Sequence, residues 1–182
     1  MKAFSLIEIL ISVTIASLVF GAMFTLLVQG LASAQDTRDR FIAANLAQEG
    51  IELAVNFRSN NWALCPDAFN LDNTLTMWRG QGSCPSNGNP TISLADGSYI
   101  TQYDSSGLTA ATASNQNLVR TSTGLYCHPS AQGCSGSPTP FSRLISISTI
   151  NVHQMKVVSL VSWIFNSQPK SVSVEDRLYN WR

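Results

Sequence analysis

Four cysteines, Cys65, Cys84, Cys127 and Cys134, are the residues of this chain with the most defined chemistry. All four sit in stretches rich in Gly, Pro and Ser, and an even count in such loops fits disulfides formed in an oxidising compartment. Four cysteines allow three connectivities. Local pairs, Cys65–Cys84 and Cys127–Cys134, are favoured because each would staple one irregular segment. Free thiols and a zinc site are the alternatives. Zinc is the weakest, since there is no Cys-x-x-Cys and His128 is the only imidazole near a cysteine. Glu8 is the next residue of interest, because it interrupts an apolar run. An acidic side chain at the centre of a membrane helix costs about 2.5–3.5 kcal/mol, and less nearer the end. Lys2 is too close to the terminus to reach it in a regular helix, so a partner on another subunit is expected. Catalytic chemistry is not expected. His128 and His153 are isolated, the acids are scattered, and no Gly-x-Ser-x-Gly, phosphate loop or dinucleotide fingerprint occurs. Asp67, Asp72, Asp96 and Asp104 could offer oxygens to calcium. They lack Asp-x-Asp spacing, so turn chemistry accounts for them better, and no metal or cofactor is expected.

The elements that must position these residues begin with the apolar run itself. From Ile9 to Val28 twenty residues pass without a charge, and a helix needs about 20 to cross a bilayer. The run is long for a cleaved signal peptide, for which Ala32-Ser33-Ala34 is the best small-x-small site, whereas an uncleaved signal anchor requires only the hydrophobicity. Residues 4–31 read as helix throughout, with Gly21 the one interior residue of poor propensity. Ser12, Thr14, Ser17, Gly21, Ala22 and Thr25 are small or hydroxylated and permit close helix approach in lipid. Gln35 to Arg40 is mixed in charge and suits a membrane surface. Beyond it Phe41, Ala44, Ile51 and Val55, together with Ile42, Leu46, Leu53 and Phe57, recur near helical spacing. They predict a wide apolar face packed under a sheet, with Glu49 and Glu52 on the remaining surface. No Pro occurs between Phe4 and Cys65, so one helix of on the order of 80 Å is expected from Phe4 to Arg58. Ser59-Asn60-Asn61 is its expected stop.

The remainder reads as strands and loops. Trp62 to Pro90 is irregular, with Trp62 and Trp78 covering the core edge. Residues 91–94 and 99–103 flank Asp96-Gly97 as a hairpin. Asp104 to Gln116 reads as loop. Leu118-Val119 and Leu125-Tyr126 form a short hairpin around Ser122-Thr123-Gly124, and Cys127 to Pro140 is a loop tip. Phe141–Ile150, Met155–Phe165 and Ser171–Trp181 are strand candidates joined by short links, hence antiparallel neighbours. Val157, Ser159, Val161 and Trp163 share one face of the middle strand; Val158, Leu160 and Ile164 share the other. Apolar residues on both faces predict a strand covered on both sides. The fold class expected is α+β. Eleven Lys and Arg balance eleven Asp and Glu, which leaves no basic footprint for nucleic acid.

Ala3-Phe4-Ser5-Leu6-Ile7-Glu8 resembles the cleavage and methylation motif of type IV pilins and pseudopilins. Two further sets of residues resemble pilin-like proteins more softly. Ala47-Gln48-Glu49-Gly50-Ile51-Glu52, Asn56-Phe57-Arg58 and Asn60-Asn61-Trp62 lie on the helix. Thr139-Pro140-Phe141, Met155-Lys156-Val157, Val161-Ser162-Trp163 and Leu178-Tyr179-Asn180-Trp181 lie in the last strands. The resemblance implies a leader at residues 1–3, cut by a prepilin peptidase between Ala3 and Phe4, and methylation of the new Phe4 amine. Residues 4–31 become the transmembrane and filament-core half of a helix, 32–60 its amphipathic half, and 61–182 a globular head. Glu8 is then the carboxylate that pairs with a neighbouring subunit's N-terminal ammonium. The implied function is a structural subunit of a pilus or pseudopilus. Its implied partners are other pilin subunits, the peptidase and the assembly platform. It would lie in the cytoplasmic membrane as a single-pass protein before assembly and in an extracellular pilus or periplasmic pseudopilus afterwards. Thr25 stands where main pilins carry Pro, and Ala3 where Gly is usual, which tilts the reading towards a minor subunit. A membrane-anchored extracytoplasmic binding or adhesion domain that never polymerises is the alternative.

Overall fold

A computed structural model describes residues 5–64, 94–103, 107–129, 134–151 and 154–179, with backbone alone at 61–64. The chain divides into two compact units, Met1–Phe41 and Ile42–Arg182. One helix, α1 (Leu6–Leu64), is followed by seven strands: β1 (Gly97–Ile100), β2 (Thr109–Ala110), β3 (Asn117–Arg120), β4 (Tyr126–Cys127), β5 (Ser137–Asn151), β6 (Gln154–Phe165) and β7 (Gln168–Tyr179). The class is α+β: a long N-terminal helix, and an antiparallel sheet on which its later residues pack.

In the first unit every residue from Ser5 to Leu31 is exposed. The helix is long and apolar enough there to cross a membrane. The hydroxyls of this stretch are satisfied internally. Ser12 donates to the Ile9 carbonyl, Thr14 to Ile11, Ser17 to Thr14 and Thr25 to Gly21, at 2.8–3.0 Å. In lipid this matters, because no water is present to take up an unpaired polar group. Further on, Arg40 meets Asp36 one helical turn back at 2.9 Å. The helix runs past its expected stop, and Asn60 and Asn61 lie inside it. Asn tolerates a helix end but does not impose one.

In the second unit β5 is the central strand. From Ser142 to Asn151 it pairs with β6, which pairs in turn with β7. Its other edge is shared: β3 takes the early part, with β4 beyond it, and β1 the later part, with β2 beyond it. The β6–β7 link is the two-residue turn Asn166-Ser167, both with positive φ, the geometry whose twist matches paired strands. Between β3 and β4, Gly124 adopts φ 89°, and the turn closes by Thr121 donating to the Leu125 carbonyl at 2.9 Å. Three long strands and this small hairpin therefore agree with expectation, with boundaries moved by a few residues.

The hairpin expected around Asp96-Gly97 is not found among the described residues: Tyr99 pairs with Ala110 on one side and Ile145 on the other, and residues 91–93 of the expected first arm lie outside the described residues. Asp96 instead accepts from the Thr149 amide and hydroxyl at 2.8 and 2.7 Å. That contact ties the start of β1 to the far end of β5. The stretch read as loop after Asp104 contains β2. Residues 137–140, read as part of a loop tip, belong to β5.

The core lies between α1 and one face of the sheet. The helix residues that enter it are Ala43, Leu46, Ala47, Gly50, Ile51, Ala54 and Phe57, spaced by three and four. They are smaller than the face expected. Phe41 is 70% exposed and Ala44 is exposed, because both lie off this seam. Glu49 was expected on the surface but faces the sheet. The helix and sheet come closest at Gly50, where an added Cβ would fall on the Ser159 hydroxyl and 3.1 Å from its Cβ. Only a glycine admits that approach. Two apolar clusters flank it. Ala43, Leu46, Ala47, Leu118, Phe141, Val161 and Trp163 form one. Ile51, Ala54, Phe57, Leu94, Ile145, Ile147, Met155, Val157 and Leu178 form the other. The opposite face of β6 is open rather than covered, with Leu160 36% and Ile164 70% exposed. Serines explain why it tolerates water. Ser142, Ser162 and Ser171 align across β5, β6 and β7, and the first two share a hydroxyl bond of 2.8 Å.

Candidate functional site

Two places hold the residues with functional chemistry. The first is the exposed start of α1. Ser5 precedes the helix, and Glu8 lies in its first turn. This is the spacing of a capping box, in which each side chain would bond the other residue's backbone amide. Neither bond is made. The bonds at this end run from the Glu8 and Ile9 amides to the Ser5 carbonyl, at 3.0 and 3.4 Å. A carboxylate here is favoured by the helix dipole. Among the described residues, however, no cation or donor reaches the Glu8 side chain. From Glu8 to Val28 it is the one polar side chain without an internal partner, since all four hydroxyls have theirs. The arrangement can insert into an apolar medium and can accept one cation at its edge. Ala3 and Phe4, the residues expected to flank a cut, lie outside the described residues.

The second place is a buried polar row between the two apolar clusters. Arg143 alternates along β5 with Phe141, Ile145 and Ile147, so its side chain points at the helix and is fully buried. Its Nη2 donates to the Thr101 carbonyl at 2.6 Å and its Nη1 to the Leu46 carbonyl at 3.2 Å. Glu49 places a carboxylate oxygen 3.1 Å from Nη1. That oxygen has no aligned hydrogen bond. The contact is an ion pair by distance, and it neutralises a cation that burial alone would make costly.

His128 is buried beside this row. Its amide donates to Gln102 Oε1 at 3.1 Å, and its Nδ1 lies 3.0 Å from the Asn115 carbonyl. A carbonyl can only accept, so Nδ1 carries the proton of the neutral ring. Nε2 is buried without a partner. Burial first, and the Arg143 charge second, hold the imidazole pKa down to about 4, against the backbone bonds of Asn115 and Asn117, which raise it. At the other end of the interface, burial lowers the Arg58 pKa while the Asp176 carboxylate on β7 raises it.

Of the four cysteines, Cys127 and Cys134 are joined in a disulfide with Cα atoms 5.9 Å apart. It staples the end of β4 to the approach to β5. Cys65 and Cys84 lie outside the described residues, and so does the pairing expected of them. Among the described residues no three His, Cys, Asp or Glu side chains converge as a metal site. The sequence reading missed Arg143, Glu49 and Gln102. Arg143 was accessible by parity alone, since period-two alternation from Phe141 to Ile147 puts it inward. No family model matches the chain, and no curated protein or solved structure matches it significantly.

Proposed function

We propose that the chain is a type IV pilin-like subunit, held in a membrane by α1 before it packs into a helical filament. What supports the reading is the state of Glu8: a carboxylate without a partner among the described residues, in the first turn of an exposed apolar helix whose hydroxyls at Ser12, Thr14, Ser17 and Thr25 are internally satisfied. In this reading the chain is cut between Ala3 and Phe4. The new ammonium of one subunit then neutralises Glu8 of the next in a medium of low dielectric, where such a pair is strong. Apolar helices exchange lipid for one another, driven by packing and paired polar groups rather than by release from water. The head, tied to the later part of α1 by Arg143 and Glu49, is carried to the filament surface. A head-to-tail contact that does not close generates an open assembly.

Two measurements test this. Mass spectrometry of the mature protein should find Phe4 first and methylated; an intact Met1 supports an anchored domain that does not polymerise. Glu8→Val should leave membrane insertion intact and reduce incorporation into sheared filaments at least tenfold. Equal incorporation of the variant and the wild type would sink the pairing.

A further inference from the structure

The buried polar row has a property that filament assembly does not use. His128 and Arg143 are held by the same two stretches of chain. The Thr101 carbonyl takes Arg143 Nη2, while the neighbouring Gln102 takes the His128 amide. The Asn115 carbonyl takes His128 Nδ1, while the neighbouring Gln116 carbonyl takes the Arg143 amide at 2.9 Å. The two side chains are thus clamped together, one cationic and one neutral, both buried. The charged groups facing His128 are Arg143 from β5 and, behind it, Glu49 from α1; Gln102, Asn115 and Asn117 present neutral atoms.

We infer that this cluster is an acid-triggered latch. A proton taken up at His128 Nε2 unseats Thr101–Gln102, Asn115–Asn117 and β4 from Arg143, while α1 and β5–β7 stay packed.

The physical argument is short. A second proton on the ring must go to Nε2, since Nδ1 already has one. There, on a buried nitrogen that makes no hydrogen bond in the closed form, it puts a second positive charge next to a buried guanidinium. Such a charge is costly inside a protein. The closed arrangement can escape only by exposing the ring. The segments that must move to do so are short: β4 is a two-residue strand and β3 a four-residue one. By contrast, β6 and β7 pair over twelve consecutive positions. Opening is therefore local. The disulfide to Cys134 limits its extent, because β4 remains tethered near the start of β5.

The sign follows from linkage. The closed form keeps His128 neutral, with its pKa lowered from 6.5 to about 4. Its advantage is complete above the unperturbed pKa and is lost as pH falls from there towards about 4. Each pH unit in that window lowers the closed-to-open ratio by up to about tenfold.

The experiment is hydrogen exchange of the full chain in lipid nanodiscs at pH 7 and pH 4.5, disulfide intact, corrected for intrinsic exchange. The His128 imidazole signal is followed in parallel by NMR and assigned by its absence from His128→Gln. Peptides covering 101–103 and 115–129 should lose at least tenfold more protection than peptides covering 154–179. In His128→Gln that differential should no longer depend on pH. Parallel loss in both regions of the wild type overturns the latch. So does a pH-dependent differential that persists in His128→Gln, which would assign the transition to Glu49. If the variant does not fold, the wild type alone decides: an imidazole titrating near its ordinary value with unchanged protection overturns the proposal.

Discussion

The two halves of α1 draw on much the same residues and put them to opposite uses. Between Leu6 and Leu31 large apolar side chains point in every direction and all are exposed. Between Ala43 and Phe57 the buried positions form a seam one side wide, and most are small: Ala43, Ala47, Gly50, Ala54. A helix that is apolar all round requires an apolar medium around it. A helix with a small-residue seam requires one close, shaped partner, and the sheet provides it. The two glutamates follow the same division. Glu8 has no partner among the described residues, whereas Glu49 compensates a buried arginine. Hydrophobicity by itself therefore does not define a packing face; side-chain size and the placement of a few charges do.

The comparison breaks most sharply at those glutamates. Glu49→Ala leaves Arg143 buried without its counter-charge. Removing one partner of a buried pair costs roughly 3–5 kcal/mol, and the lower figure applies because Glu49 is partly exposed. Urea unfolding of the full chain in detergent, followed by near-ultraviolet circular dichroism, should show a loss of about 3 kcal/mol. Glu8→Ala should leave the same transition unmoved. A neutral Glu49→Ala would mean that Arg143 is held by the Leu46 and Thr101 carbonyls alone.

A second contrast tests the medium each half requires. Leu18 is 75% exposed near the centre of the apolar run. Leu18→Arg should weaken membrane partitioning by about 3 kcal/mol, or about a hundredfold. It should not change the unfolding of the sheet-bearing unit. The measurement is the ratio of chain in carbonate-washed membranes to chain in the supernatant. Unchanged partitioning would remove the membrane reading of this half.

What the sequence disclosed depends on the physics that decides each feature. The long strands were legible because alternation from Phe141 to Ile147 and from Met155 to Trp163 is a local signal. The helix was legible because no Pro interrupts it before Pro66. The hairpin expected at Asp96-Gly97 shows the limit. Its turn signal was sound, but non-local pairing claimed both edges of Tyr99. Phe41 and Ala44 were placed on the buried face because near-helical apolar spacing does not fix which of two adjacent rows meets the sheet. The Arg143 row required two distant segments to meet, Leu46 in the helix and Thr101 before β2, and no single stretch encodes that. Glu8, by contrast, was conspicuous from its immediate neighbours alone.

The smallest contrast is between glycines. Alanine favours a helix over glycine by about 1 kcal/mol in either half, so packing alone decides the sign. At Gly30 nothing lies within 4 Å of a new Cβ, and Gly30→Ala should show the full propensity gain as slower amide exchange around residue 30 in micelles. At Gly50 the new methyl meets the Ser159 hydroxyl, the Ser159 Cβ at 3.1 Å and Ile145 Cδ1 at 3.4 Å. Overpacking of this kind costs typically 1–3 kcal/mol, which exceeds the gain and leaves Gly50→Ala destabilised by about 1 kcal/mol in urea unfolding. Ser159→Gly removes the obstructing atoms. In the double variant Gly50→Ala with Ser159→Gly the alanine penalty should therefore vanish, giving a coupling of at least about 0.5 kcal/mol between two residues from helix and sheet. Gly50→Ala stabilising the chain as Gly30→Ala does would place the helix farther from β6 than the seam requires. The small-residue account of the packed half would then fail.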